Sequence, residues 1–138
     1  LLIYVTKGLS AITTQLRKLK RRDKDIEEYK AQITELTDIS QGLVYYSMTI
    51  QNQNISQIGK QGIRQLLASF KVIDEKYSER LENYDLNPSQ SLFCILYHIG
   101  KSDEEVMQIL QYSLSNIRVR KSRIKSDTGA ESFDDIIR

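Results

Sequence analysis

The sequence has no tryptophan, one proline and one cysteine in 138 residues. A single cysteine excludes an internal disulfide, and Cys94 lies between Phe93 and Ile95, as a small core residue does in a reducing compartment. Because glycine is also scarce while leucine, isoleucine, glutamine and charged residues are frequent, the composition favours helices. We therefore predict an all-α protein located in the cytoplasm.

Residues suited to enzymatic chemistry are few. His98 is the only histidine and lies beside an apolar run, and Cys94 has no neighbouring base. The segment "GKQG" at 59–62 lacks the spacing and the following Lys-Ser/Thr of a phosphate-binding loop. The cysteine, histidine and acidic residues do not have the spacing of metal ligands. We expect a protein that is not an enzyme and that uses neither a cofactor nor a metal.

Long apolar runs are absent, so the sequence itself contains no membrane span. It begins with "LLIYV" at 1–5 and continues to "RKLKRRDK" at 17–24, with six basic residues in eight. This order is typical of the cytoplasmic exit of a membrane helix, which would then lie upstream of Leu1 in a longer protein. An apolar helix start that packs on the protein itself explains it equally well.

The first part of the chain, 1–84, is predicted to be a helical, coiled-coil-like linker. Within a long helix over 7–45, apolar residues are spaced three, four and three. They are Leu9, Ile12, Leu16 and Leu19, then Ile26, Tyr29, Ile33, Leu36 and Leu43. The frame shifts by three residues between the runs, at the basic cluster. Each run is shorter than three or four heptads, which slightly favours the inner stripe of an amphipathic helix over a seam between two chains.

A connection is predicted at 50–62, where the periodicity is lost and asparagine, glutamine and glycine accumulate. One helix of about six turns should follow and end near 83–85. Its predicted buried face consists of Ile63, Leu66, Phe70, Ile73, Tyr77 and Leu81.

The second part, 85–138, is predicted to be a bundle of three short helices. Each helix has its own boundary signal in the sequence. The signals are a cap at Asn87 before Pro88, a stop at Gly100, a capping box at Ser102 and Glu105, and a cap at Ser113. Two helices joined by a turn of three residues after Leu110 form a helix-turn-helix arrangement.

The last of these helices, 114–125, has a basic face. Ile117 and Ile124 point to one side, Arg120 and Lys121 flank that buried edge, and 114–126 contains no aspartate or glutamate. An acid-free face with arginines, small serines and one valine suits the major groove of double-stranded DNA. The predicted DNA-binding residues are Ser115, Arg118, Val119, Lys121, Ser122, Arg123 and Lys125.

The segment "LNPSQSLFCILYHIGKSDEEVMQILQYSLSNIRVRKSRIKSD", 86–127, resembles the LuxR-type helix-turn-helix domain of bacterial response regulators. It is also similar to the region of sigma factors that reads the −35 promoter element. The resemblance implies a bacterial transcription regulator whose DNA contacts fall on Ser115, Arg118, Val119 and Ser122. The sequence departs from the family at Gln111, where glycine is usual, and at Arg120, where histidine is frequent.

Two further expectations concern partners. A helical interaction module, whose basic helix contacts an acidic partner or RNA polymerase, is the alternative to DNA reading, and the departure at Gln111 favours it. DNA readers of this kind commonly act as homodimers. The heptad-like runs within 9–43 would supply the dimer contact, or else the tail "ESFDDIIR" would, through Phe133, Ile136 and Ile137.

Overall fold

The computed structural model describes residues 2–138, with side chains from Lys7 onward. The described chain is all-α, as predicted, and contains seven helices. They are α1 (Leu2–Ile50), α2 (Gly59–Ile73), α3 (Glu75–Glu82), α4 (Pro88–His98), α5 (Asp103–Leu110), α6 (Leu114–Thr128) and α7 (Phe133–Ile137). Among the described residues, no helix combines the length and the apolarity that crossing a bilayer requires. The apolar start at 1–5 lies outside the residues whose side chains are described.

The chain divides into two compact units, Leu1–Thr37 and Asp38–Arg138. The predicted boundary at 84/85 therefore falls inside the second unit, where α2 and α3 belong with the helix-turn-helix. In the first unit the heptad-spaced side chains are exposed, with fractions between 49% and 64%. They are Leu9, Ile12, Leu16, Leu19, Ile26, Tyr29, Ile33 and Leu36. Within the described part of this unit they do not form a buried inner stripe.

Gly42 permits a close approach between the end of α1 and α2. A Cβ atom at this position would lie 1.9 Å from the backbone oxygen of Gln65 and 2.9 Å from the Cβ of Ser69. Beside this contact the rings of Tyr46 and Phe70 meet at a centroid distance of 5.9 Å. The absence of a side chain at Gly42 is therefore a condition for packing α2 at this distance.

The predicted helix of six turns is wrong in one respect, because Asp74 divides it into α2 and α3. Asp74 leaves the helical conformation, with φ −140° and ψ 81°, and its carboxylate accepts a hydrogen bond from the Tyr77 N–H at 3.1 Å. This N–H, and then the His98 side chain, lower the pKa of the Asp74 carboxyl. The stretch supplies no glycine or proline to mark such a break.

The core of the second unit combines α2–α7 and the connection after α1. Ile55, in that connection, is buried, and its N–H donates to the Ile109 oxygen at 2.8 Å. Cys94 is fully buried, and burial raises the pKa of its thiol to about 12, so it is an inert core residue. The other buried apolar side chains are Leu66, Phe70, Tyr77, Leu81, Leu92, Phe93, Ile95, Leu96, Val106, Ile109, Leu110, Ile117, Ile124 and Ile136.

The C-terminal tail forms α7, which is part of this core. The Tyr77 hydroxyl donates to the Ile136 oxygen at 2.9 Å, and Arg80 donates to the Asp135 oxygen at 2.7 Å. His98 stacks on Tyr77 with ring centroids 3.5 Å apart and contacts the Ile137 oxygen through Nδ1 at 2.7 Å. Because Ile136 is fully buried, it is not available for the dimer contact that the sequence suggested for this tail.

Candidate nucleic-acid interface

Both helices of the helix-turn-helix, α5 and α6, begin at a serine cap. Ser102 accepts a hydrogen bond from the Glu105 N–H at 3.2 Å, and the Glu105 carboxylate accepts one from the Ser102 N–H at 3.0 Å. This second bond lowers the pKa of the Glu105 carboxyl. At the start of α6, Ser113 accepts from the Asn116 N–H at 3.2 Å. The predicted starts of both helices are therefore confirmed.

The turn between α5 and α6 depends on Gln111. Its backbone is left-handed, with φ 59° and ψ 42°, which is the conformation that glycine would adopt at lower cost. The side-chain amide of Gln111 donates to the backbone oxygen of Gln108 at 2.7 Å, and the Tyr112 N–H donates to the Met107 oxygen at 3.2 Å. The departure from the family pattern at this position therefore does not prevent the turn.

The orientation of α6 is fixed by its two isoleucines. Ile117 and Ile124 are 0% and 1% exposed, and they pack in the same core as Val106, Ile109 and Leu110. Since these two residues are seven apart, they occupy the same side of the helix. The opposite side of α6 must then face outward.

The outward side carries most of the predicted DNA-binding residues. Six of the seven predicted residues are exposed: Ser115, Arg118, Val119, Ser122, Arg123 and Lys125. Val119 is 55% exposed although it is apolar. A shallow depression runs along the helix beside Arg118, Val119, Ser122 and Arg123 and ends at Ser126 and Asp127. The carboxylate of Asp127 accepts a hydrogen bond from the Gln90 amide of α4 at 3.0 Å.

Lys121, also predicted to bind DNA, is bonded within the protein. Its Nζ lies 2.8 Å from the Asp103 carboxylate of α5 and 4.5 Å from the centre of the Tyr97 ring. The same ammonium lies 5.5 Å from the ring centre of Phe133 in α7. Lys121, and then the Tyr97 hydroxyl at 2.6 Å, lower the pKa of the Asp103 carboxyl. Lys121 therefore joins α6 to α4, α5 and α7. No local sequence pattern predicts these partners.

Arg120 is oriented along the edge of the helix. Its Nε donates to the Asn116 side-chain oxygen at 3.0 Å, and its guanidinium lies 4.1 Å from the centre of the Tyr112 ring. Within residues 7–138, by contrast, no carboxylate lies within salt-bridge distance of Arg118, Arg123 or Lys125. These three are therefore the exposed cations of α6 that have no carboxylate within salt-bridge distance among the described residues.

The other possible centres of chemistry are structural. His98 contacts the Asp74 carboxylate through Nε2 at 3.1 Å and holds α7 through Nδ1. In the described part of the chain, no three histidine, cysteine or acidic side chains come together as a metal site. The outer side of α6 is therefore the candidate functional surface.

Comparison of the chain with models of known protein families, with curated proteins and with solved structures gave no match.

Proposed function

We propose that the protein is a sequence-specific, DNA-binding transcription regulator that reads the major groove with the helix at 114–125. The observation that carries the proposal is the two-sided character of α6. It buries Ile117 and Ile124, while its outer side exposes three cations that lack a carboxylate partner among the described residues. A solvated surface helix would intersperse acids on that side.

Each exposed residue type suits a particular contact with B-DNA. Arg118 can form two hydrogen bonds with guanine, and Val119 can contact the methyl group of thymine. Ser115 and Ser122 are small enough to admit a base edge or a phosphate, and both lie on the same side as Arg118. Lys125 and its neighbour Arg123 would bind phosphates toward the end of the helix.

The contacts of Lys121 support a different role for it than the sequence suggested. Its ion pair with Asp103 and its position over the Tyr97 ring fix the angle between α5 and α6. We therefore assign Lys121 to positioning the reading helix, with base and phosphate contacts left to Arg118, Arg123 and Lys125. We propose the cytoplasm of a bacterium as its location, because the resemblance is to bacterial regulators and a single buried thiol suits a reducing compartment.

The salt dependence of DNA binding tests the proposal. Each phosphate contact should contribute about −0.9 to the slope of log K against log salt concentration. Lys125→Ala should therefore make the slope less steep by about 0.9 on every duplex. Lys76→Ala is the matched control, because Lys76 is an exposed lysine that belongs to α3 and not to the proposed reading helix.

The alternative function, contact with an acidic protein or RNA polymerase, gives the opposite result. The chain would then show no salt-dependent retention on duplex DNA, and Lys125→Ala would behave as Lys76→Ala does. The departure at Gln111, which favoured this alternative, is compatible with a formed turn.

A further inference from the structure

A second surface of the protein lies on α1, in the unit Leu1–Thr37. Between Leu9 and Leu36 the heptad-spaced apolar side chains are 49–64% exposed. Residues 9–36 contain two heptad-spaced runs of about two heptads each, joined at the three-residue change of frame. An exposed apolar row of this length is unfavourable in water and would be covered in a stable assembly.

The charges beside the row indicate which partner covers it. In a parallel coiled coil, position g of one helix faces position e of the other, five residues further along. Within a single frame, the second run places Asp25 at g and Lys30 at e. This pair joins opposite charges when the partner is an identical chain in the same register. Within one chain Lys30 and Glu27 form only an exposed pair at 3.7 Å.

The change of frame between the runs also fits an identical partner. If the first frame continued, Asp23 would occupy position a and would face the same aspartate of the second copy. The three-residue shift moves Asp23 to position e, outside the apolar seam. The frame shift changes the supercoil locally, and in return it keeps the two Asp23 carboxylates of a dimer out of the buried seam.

We propose that the segment 9–36 of α1 pairs with the same segment of a second copy as a parallel, in-register coiled coil. This inference goes beyond the proposed function, because pairing requires no DNA. It would give one molecule two copies of the helix-turn-helix.

Sedimentation equilibrium of the 138-residue chain tests the pairing, and we expect twice the monomer mass at micromolar concentration. The double variant Leu16→Glu, Ile33→Glu should be monomeric, because it places four carboxylates in the seam. The control Thr14→Glu, Ala31→Glu adds the same charges at outer f positions and should remain dimeric. Circular dichroism would verify that the unit Asp38–Arg138 stays folded in both variants.

Disulfide formation tests the orientation. Leu19→Cys should cross-link two chains under mild oxidation, because equivalent d positions face each other only in a parallel, in-register pair. Thr14→Cys should not cross-link, and the buried Cys94 gives the background in the unsubstituted chain. All of these measurements omit DNA, so failure of the proposed function would leave them unchanged.

Three outcomes would overturn the inference. The first is a monomer at tens of micromolar concentration. The second is a dimer that Leu19→Cys does not cross-link, which indicates an antiparallel or shifted pair. The third is a monomer that sediments with vesicles containing anionic lipid, which would assign the apolar row and the basic cluster at 17–24 to a membrane surface.

Discussion

Arg118 and Lys121 are three residues apart on α6 and carry the same charge, but their surroundings differ. Lys121 is paired with Asp103 at 2.8 Å and lies over two aromatic rings, whereas Arg118 is exposed. A cation that already has a carboxylate partner gains less from a phosphate than one that has none. The helix as a whole is basic, but tertiary contacts decide which of its cations remain available to an anionic partner.

The Lys121–Asp103 pair should make stability depend on pH. The folded-state pKa of Asp103 is lowered, so its stabilisation is present above the ordinary carboxyl pKa and is lost as pH falls through the lowered value. We predict that Lys121→Gln lowers the free energy of unfolding at neutral pH by about 1 kcal/mol or less, since the pair is partly exposed.

The difference between this variant and the unsubstituted chain should shrink as Asp103 becomes protonated. Urea unfolding between neutral and acid pH would measure it, with Lys125→Gln as the exposed control. If the difference in free energy of unfolding were the same at all pH values, the contact of Lys121 with the aromatic rings, and not its ion pair with Asp103, would account for its stabilising effect.

The left-handed Gln111 predicts a stabilising substitution. Gln111→Gly should raise the free energy of unfolding by up to about 1 kcal/mol, because glycine adopts a positive φ without steric cost. The loss of the hydrogen bond to the Gln108 oxygen would offset part of this gain. Gln108→Gly, in the exposed interior of α5, should instead destabilise by about 1 kcal/mol. Chemical denaturation measures both, and a destabilised Gln111→Gly would contradict the account.

At the scale of elements, the helix boundaries that have a local chemical signal could be predicted. Asn87, Ser102 and Ser113 each cap a helix as their sequence context indicates, and Gly100 has φ 95° after α4. The boundary at Asp74 could not, because the apolar period continues across it and the break is stabilised by tertiary contact with His98. The short α7 has such a local signal too, because the Ser132 hydroxyl accepts a hydrogen bond from the Asp135 N–H. The predicted three-helix bundle does not include this helix, and the carbonyl groups at this end of the chain are held by residues 39–59 positions away.

The two glycines inside α1 provide a test of helix packing. Gly42→Ala should destabilise the second unit by about 1–3 kcal/mol, because its new Cβ would collide with the Gln65 backbone. Gly8→Ala meets nothing within 4 Å and should increase the helix content through its better propensity. Thermal unfolding followed by circular dichroism compares the two variants. If both are stabilising, the close contact between α1 and α2 does not form.

At the scale of the whole molecule, the outer side of α6 could be predicted from sequence, because Ile117 and Ile124 alone fix which side is buried. The division of the chain could not. The residues that place α2 and α3 with the bundle, such as Ile55 and Tyr77, contact partners that are distant in sequence. The exposure of the heptad-spaced row could not be predicted either, because the same spacing suits a buried stripe within one chain and a seam between two chains. The exposed fractions of these side chains decide between them for the described residues.

The most direct test of the central claim is the effect of Arg118→Ala on DNA sequences of different affinity. A selection from random duplexes would first supply a preferred site, and binding would then be titrated on that site and on an unrelated duplex at one salt concentration. If Arg118 reads a base, the substitution should weaken binding by about 1–3 kcal/mol on the preferred site and by clearly less on the unrelated duplex. An equal penalty on both duplexes, or none on either, would contradict sequence-specific reading by α6.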